Sequence, residues 1–257
     1  MKVARLSSTL IKFWLAGSVL AILIQTIPEA TGETKGPSST SVYELTGHVK
    51  FFRGYSGGTL EDASGVVEWL VPAQTGRMVR LNTELLHYRM TQRHRRFEPH
   101  LLVVPAGSIV EFPNHDPWFH NVFSVSRNGR FDLGVYEAGV QRAARFDRPG
   151  VSYLFCSLHP EMMAIVLTVD WTYFGVSDRT GHISIRNPPP GKYFLHVWYE
   201  HATPPALAAL RRTIIVGGDN RSSLPTISIV LPNGIPVTSK NVNSDQSTFV
   251  GANWGRP

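Results

Sequence analysis

Cysteine is almost missing from this chain. Cys156 stands alone among 257 residues, so no disulfide can form within one molecule. Charge is sparse as well: Asp, Glu, Lys and Arg make up 17% of the residues, with a formal net charge of +6. That small basic excess does not describe a nucleic-acid binder, and no nucleic-acid partner is expected. The one basic cluster, Gln92-Arg93-His94-Arg95-Arg96, is short and reads as a solvated loop. There is no phosphate loop and no His-x-His pair, which removes the usual signature of nucleotide binding.

A long apolar run is also wanting. Phe13 to Ile24 is apolar but short for a bilayer span, even though Ile27 extends it past two polar residues. Lys2, Arg5 and Lys12 precede it, and the small residues of Ala30-Thr31-Gly32 follow. This is the order of a secretory signal peptide, read here as residues 1–32. Export to a periplasm or the cell surface is expected. The competing reading is an uncleaved anchor, the one case in which membrane contact is expected. Losing Lys2, Arg5, Lys12 and Glu29 with the signal would lower the charge from +6 to about +4. A free thiol in an oxidising compartment must be buried, paired between chains, or bound to metal.

What surrounds the thiol favours metal. In Cys156-Ser157-Leu158-His159-Pro160-Glu161-Met162 a histidine follows the cysteine by three residues and a methionine by six. Thiolate, imidazole and thioether are soft donors suited to copper in both of its oxidation states, and two histidines, one cysteine and a weak axial methionine make a blue-copper set. Phe119-His120-Asn121-Val122-Phe123 is the candidate source of the second histidine. The metal itself would lower the thiol pKa.

The loop resembles that of the cupredoxins, and most closely the short amicyanin form: Cys, two residues, His, two residues, Met. The segment around His120 resembles the cupredoxin stretch that carries the first histidine. Over about half the chain the resemblance implies one type 1 copper held by His120, Cys156, His159 and Met162, with adjoining Met163 the alternative axial ligand. It also implies that Asn121 ties its loop to the cysteine loop through Ser157. His159 would be the electron port, within an apolar patch of Leu158, Pro160 and Met163. Phe112, Phe123 and Phe155 are candidates to surround the site, and equally ordinary core aromatics.

Short apolar stretches between Gly and Pro turns argue for an all-β chain: a cupredoxin-like Greek-key β-sandwich over 42–170, followed by a second, smaller sandwich over 171–232. Gly65 to Pro72, His100 to Pro105, Ile109 to Asn114, Val151 to Phe155 and Ala164 to Val169 read as strands, and Thr83 to Gln92 as irregular with a helical turn. Turns at Ser177–Gly181 and Pro188–Gly191 give the second unit its resemblance to transthyretin-like, carboxypeptidase-regulatory-like sandwiches. Residues 33–41 read as a flexible leader and 233–257 as a disordered tail. His182, His196 and His201 read as structural.

The functional expectation is a one-electron carrier exchanging electrons with a cytochrome or a periplasmic oxidoreductase, and the mild positive charge is compatible with an acidic partner. The alternative is a copper-binding protein for delivery or storage. Exchangeable delivery sites are often methionine-rich, whereas this chain has five methionines. Catalysis by this chain alone is not expected, because further copper centres are built from clustered histidines.

Overall fold

The computed structural model describes residues 44–54, 58–74, 86–217 and 223–231. The expected signal, leader and tail lie outside them. The chain runs β1 (Glu44–Arg53), β2 (Val67–Pro72), β3 (His87–Arg89), β4 (Thr91–Arg93), β5 (Arg96–Glu98), β6 (Leu101–Pro105), β7 (Ser108–Pro113), β8 (His120–Ser124) and β9 (Phe131–Tyr136). It continues β10 (Gln141–Phe146), β11 (Gly150–Phe155), β12 (Met163–Val169), β13 (Phe174–Val176), β14 (His182–Arg186), β15 (Gly191–Trp198), α1 (Pro204–Ala209), β16 (Arg212–Val216) and β17 (Ile227–Leu231). Among the described residues the protein is all-β apart from one short helix. Among the described residues no helix is long and apolar enough to cross a membrane.

One sandwich faces a five-stranded sheet, in the order β6-β12-β11-β8-β9, with a three-stranded sheet, β10-β7-β3. Val110 and Phe112 of β7, Phe146 of β10, Leu154 of β11 and Val166 of β12 meet in its core. Alternation does the sorting: β7 buries Val110 and Phe112 while Ile109 and Glu111 are less buried, as a strand with one face inward requires. The stretch read as irregular, Thr83 to Gln92, contributes strands β3 and β4. Their three-residue length left no period to detect; β3 runs parallel to the distant β7, and β4 pairs antiparallel with the adjacent β5.

The second sandwich has sheets β13-β2-β15-β16 and β14-β1-β17. Here the structure departs from the expected division at residue 170. β1 pairs antiparallel with β14 and parallel with β17, and β2 lies between β13 and β15. The first two strands therefore complete the C-terminal sandwich, and the strands from β3 to β12 lie between them and its remainder in sequence. Apolar pattern announces a strand but not its distant partner, which is why proximity in sequence misassigned them.

β12 is the seam. Ala164 and Val166 enter the first core, while Ile165, Leu167 and Val169 enter the second with Leu45, Leu70, Leu195 and Ile229. Both faces are buried, so the strand is apolar at nearly every position instead of alternating. β12 also runs parallel to β6, an arrangement typical of sheets covered on both sides.

Candidate metal centre

Two strand ends deliver the site. β11 ends at Phe155, which pairs with Phe123 of β8, so Cys156 emerges beside the start of β8, where His120 lies. The β8–β9 register is irregular between Asn121 and Phe123. Such irregularities re-aim side chains next to functional sites. Residues 156–162 close into a compact loop: Met162 N–H donates to His159 O at 2.9 Å and Cys156 N–H to Met162 O at 3.3 Å. β12 then leaves the loop directly.

His120 and Cys156 are buried, and His159 is partly exposed. His120 Nδ1 lies 3.0 Å from His159 Nδ1, and Cys156 Sγ lies 3.9 Å from the first and 3.7 Å from the second. The point equidistant from the corners of a triangle with sides 3.0, 3.7 and 3.9 Å is about 2.1 Å from each, against metal–imidazole bonds of about 2.0–2.1 Å and metal–thiolate bonds of about 2.3 Å. The three atoms thus fit a trigonal first-row metal ion. Among the described residues this is the one His/Cys/carboxylate trio close enough to do so.

The tautomer of His120 is set from behind. Its Nε2 lies 2.9 Å from Asp116 Oδ2, so Nε2–H donates to the carboxylate and Nδ1 presents its lone pair to the trio. Asp116 is itself fixed. His94 N–H and Arg95 N–H donate to its two oxygens at 2.6 and 2.8 Å, and its own N–H donates to Asn114 Oδ1. Burial pushes the Asp116 carboxyl up, but the hydrogen bonds from Arg95, His120 and His94 outweigh it and hold the pKa below the usual value. Burial foremost, with the charges on His120 and Arg95, lowers the proton affinity of His159; Glu161 and Asp116 act the other way. A neutral imidazole is the form a metal binds.

Asn121 Oδ1 accepts from both Ser157 N–H (2.7 Å) and Ser157 Oγ–H (3.0 Å), joining the histidine strand to the cysteine loop. Its amide nitrogen donates to Asp132 on β9. Met162 is fully buried in the same cluster as Cys156, whereas Met163 packs against the other core. Phe112 is a buried core ring, and Phe123 and Phe155 stack against each other at 5.8 Å.

One expectation needs correcting. Leu158 is 47% exposed and Pro160 is exposed beside His159, but Met163 does not join them: it opens β12 and turns towards the second core. Trp118 and Phe119, 45% and 57% exposed, stand on the approach to His120 instead. Sequence reasoning missed both, and it missed Asp116. A carboxylate four residues before a candidate histidine was the available signal. Of the other histidines, His196 lies against Trp69, His201 against Tyr199 and His182 beside His48.

No family model and no curated protein sequence matches the chain. Among solved structures, a purple cupredoxin from Nitrosopumilus maritimus is similar over 32% of this chain and 99% of its own, at 23% identity and a TM-score of 0.30. A reduced tryptophan-to-tyrosine mutant of amicyanin covers 32% of this chain and 82% of its own, at 20% identity and a TM-score of 0.31. A copper-containing nitrite reductase from Thermus scotoductus is similar over 38% of this chain but 25% of its own, at 24% identity and a TM-score of 0.32. At such scores these likenesses carry no functional argument, and the centre rests on its own geometry.

Proposed function

We propose that the protein is an exported one-electron carrier with a single type 1 copper, held by His120, Cys156 and His159 with Met162 as the axial ligand. The observation that carries this reading is the triangle of two Nδ1 atoms and one sulfur, sized for a trigonal metal and built on the only thiol in the chain. Copper bound there would supply a couple whose two oxidation states accept nearly the same ligand geometry.

The protein's own groups serve that purpose. Cys156 supplies the thiolate from a site shielded from water. Asp116 orients His120, and Asn121 locks the cysteine loop to the histidine strand through Ser157. Rigid ligands limit rearrangement on electron transfer. Met162, buried in the same cluster as Cys156, would add a thioether from within the loop as the fourth ligand. His159 is half-exposed between Leu158 and Pro160 and gives the electron a short route to a partner such as a cytochrome or a periplasmic oxidoreductase.

The test is the visible and paramagnetic resonance spectrum of Cu(II)-loaded protein. An intense thiolate-to-copper band with narrow hyperfine splitting is expected, with one copper per chain. Met162→Leu is expected to keep the band and raise the potential, because losing a thioether donor disfavours the more oxidised ion. Rapid surrender of Cu(I) to a chelator would turn the reading towards copper delivery or storage. More than one tightly held copper per chain would reopen catalysis.

A further inference from the structure

The basic run that reads as a solvated loop is folded against the metal centre. β4 and β5 form a hairpin, Arg93 opposite Arg96, and its two-residue turn is His94-Arg95. Both turn residues have left-handed backbone, φ 54° and 53°. A turn with two positive φ values favours Asn or Gly, and larger residues there cost on the order of 1 kcal/mol each or more. The turn is held in place by Asp116, whose two oxygens take both of its N–H groups while one of them also takes the proton of His120. Gln92 anchors the base: its amide donates to Phe112 O, and His115 N–H donates to Gln92 O. The hairpin therefore cannot drift from the centre without releasing the carboxylate that orients a ligand.

What the hairpin presents is positive charge over apolar surface. Arg93, His94, Arg95 and Arg96 are all exposed. The Arg95 guanidinium lies 4.5 Å over the Trp118 ring, close enough for a cation–π contact. Trp118 and Phe119 directly precede His120, and Leu158 directly precedes His159; all three are large, apolar and exposed. Asp116, the carboxylate beneath the turn, is buried and taken up by its donors, leaving Glu161 as the exposed acid acting on His159.

We infer that the Arg93–Arg96 turn and the Trp118–Phe119–Leu158 face form the docking surface for an acidic protein partner that exchanges electrons with the centre. The inference rests on the carrier reading and names the class of partner. The apolar face would exclude water around His159, and the arginines would steer an acidic surface onto it. Rim charges of this kind set the encounter rate more than the final affinity, and transient electron-transfer contacts are small, under about 1,200 Å².

The test is stopped-flow electron exchange between the copper-loaded full chain and two soluble c-type cytochromes of similar potential, one acidic and one basic. With the acidic cytochrome, the second-order rate constant is expected to fall roughly tenfold or more between low and high salt. Arg93→Glu/Arg95→Glu, which keeps both backbone N–H groups, is expected to remove most of that low-salt advantage and to speed the basic cytochrome. The visible spectrum, recorded in parallel, should stay intact. Wild-type rates for the charge-reversed variant with an intact spectrum would overturn the docking surface and leave the carrier standing. Absence of the thiolate-to-copper band in the wild type would overturn both. Loss of retention on a DNA column by the variant, with electron exchange unchanged, would reassign the arginines to nucleic acid and reject the acidic protein partner.

Discussion

Asp116 is a small residue with four hydrogen-bonding duties. It accepts from His94 and Arg95, accepts from His120, and gives its own N–H to Asn114. A carboxylate behind a ligand imidazole raises the ligand's basicity and fixes its ring, and removing such a partner typically weakens metal binding about 10–100-fold. Asp116→Asn keeps the shape but loses the charge and presents an amide where only acceptors fit. We expect copper affinity, measured by chelator competition, to fall within that range. Unchanged affinity would mean that Asp116 only shapes the turn. The His120–Cys156–His159 cluster was legible in the sequence because its residues are chemically rare and regularly spaced: one thiol, a histidine three residues on, and a histidine at the start of an apolar strand. Asp116, Trp118 and Phe119 were harder to recognise. An acid or aromatic before a strand is common, and only the folded contact distinguishes these.

At the scale of elements, β2 holds the plainest anomaly. Glu68 is fully buried within a strand whose neighbours are Val66, Val67, Trp69 and Leu70, and neither carboxylate oxygen has a hydrogen-bond partner in the described structure. Burial raises its pKa from 4.5 to about 8. A carboxyl whose folded pKa is raised binds its proton more tightly in the fold. That stabilisation is fully present below the unfolded value and is lost as pH rises through about 8. At pH 7 the penalty for holding this group in the core is on the order of 2–3 kcal/mol. Glu68→Gln has no charge to lose, so its urea midpoint relative to wild type should climb between pH 5 and pH 8.5. A difference that stays flat with pH would show that Glu68 is solvated or paired. Elements were read unevenly. β2, β6, β7, β11 and β12 were visible because their apolar residues alternate or run on between turns. β3 and β4 were too short, and the β4–β5 hairpin carries a His-Arg turn where sequence rules expect Asn or Gly.

For the whole molecule, the consequence lies in how the two sandwiches share β12. Its Ile165, Leu167 and Val169 belong to a core that also takes Val103 of β6, but most of whose other residues come from β1, β2 and the C-terminal segment. A fragment of residues 42–170 would therefore strip both partners from β1 and leave β2 without β13 and β15. It would also uncover one face of β12. Burial of each of those side chains is worth about 1.5–3 kcal/mol, a large share of a domain's stability. We expect this fragment to unfold at much lower urea than the full chain, or to aggregate, when followed by tryptophan fluorescence. A fragment as stable as the full chain would contradict the shared core. Long-range pairing of this kind leaves no trace in local pattern, which is why the site was readable from the sequence and the division between sandwiches was not.

A copper centre built on Cys156 is tested most directly by the Cu(II) spectrum of the full chain beside Cys156→Ser. An intense thiolate-to-copper band and narrow hyperfine splitting are expected in the native chain, both lost in the variant. A pale, ordinary Cu(II) spectrum that the substitution leaves unchanged would contradict it, because the sulfur at the corner of the triangle would then not be a ligand.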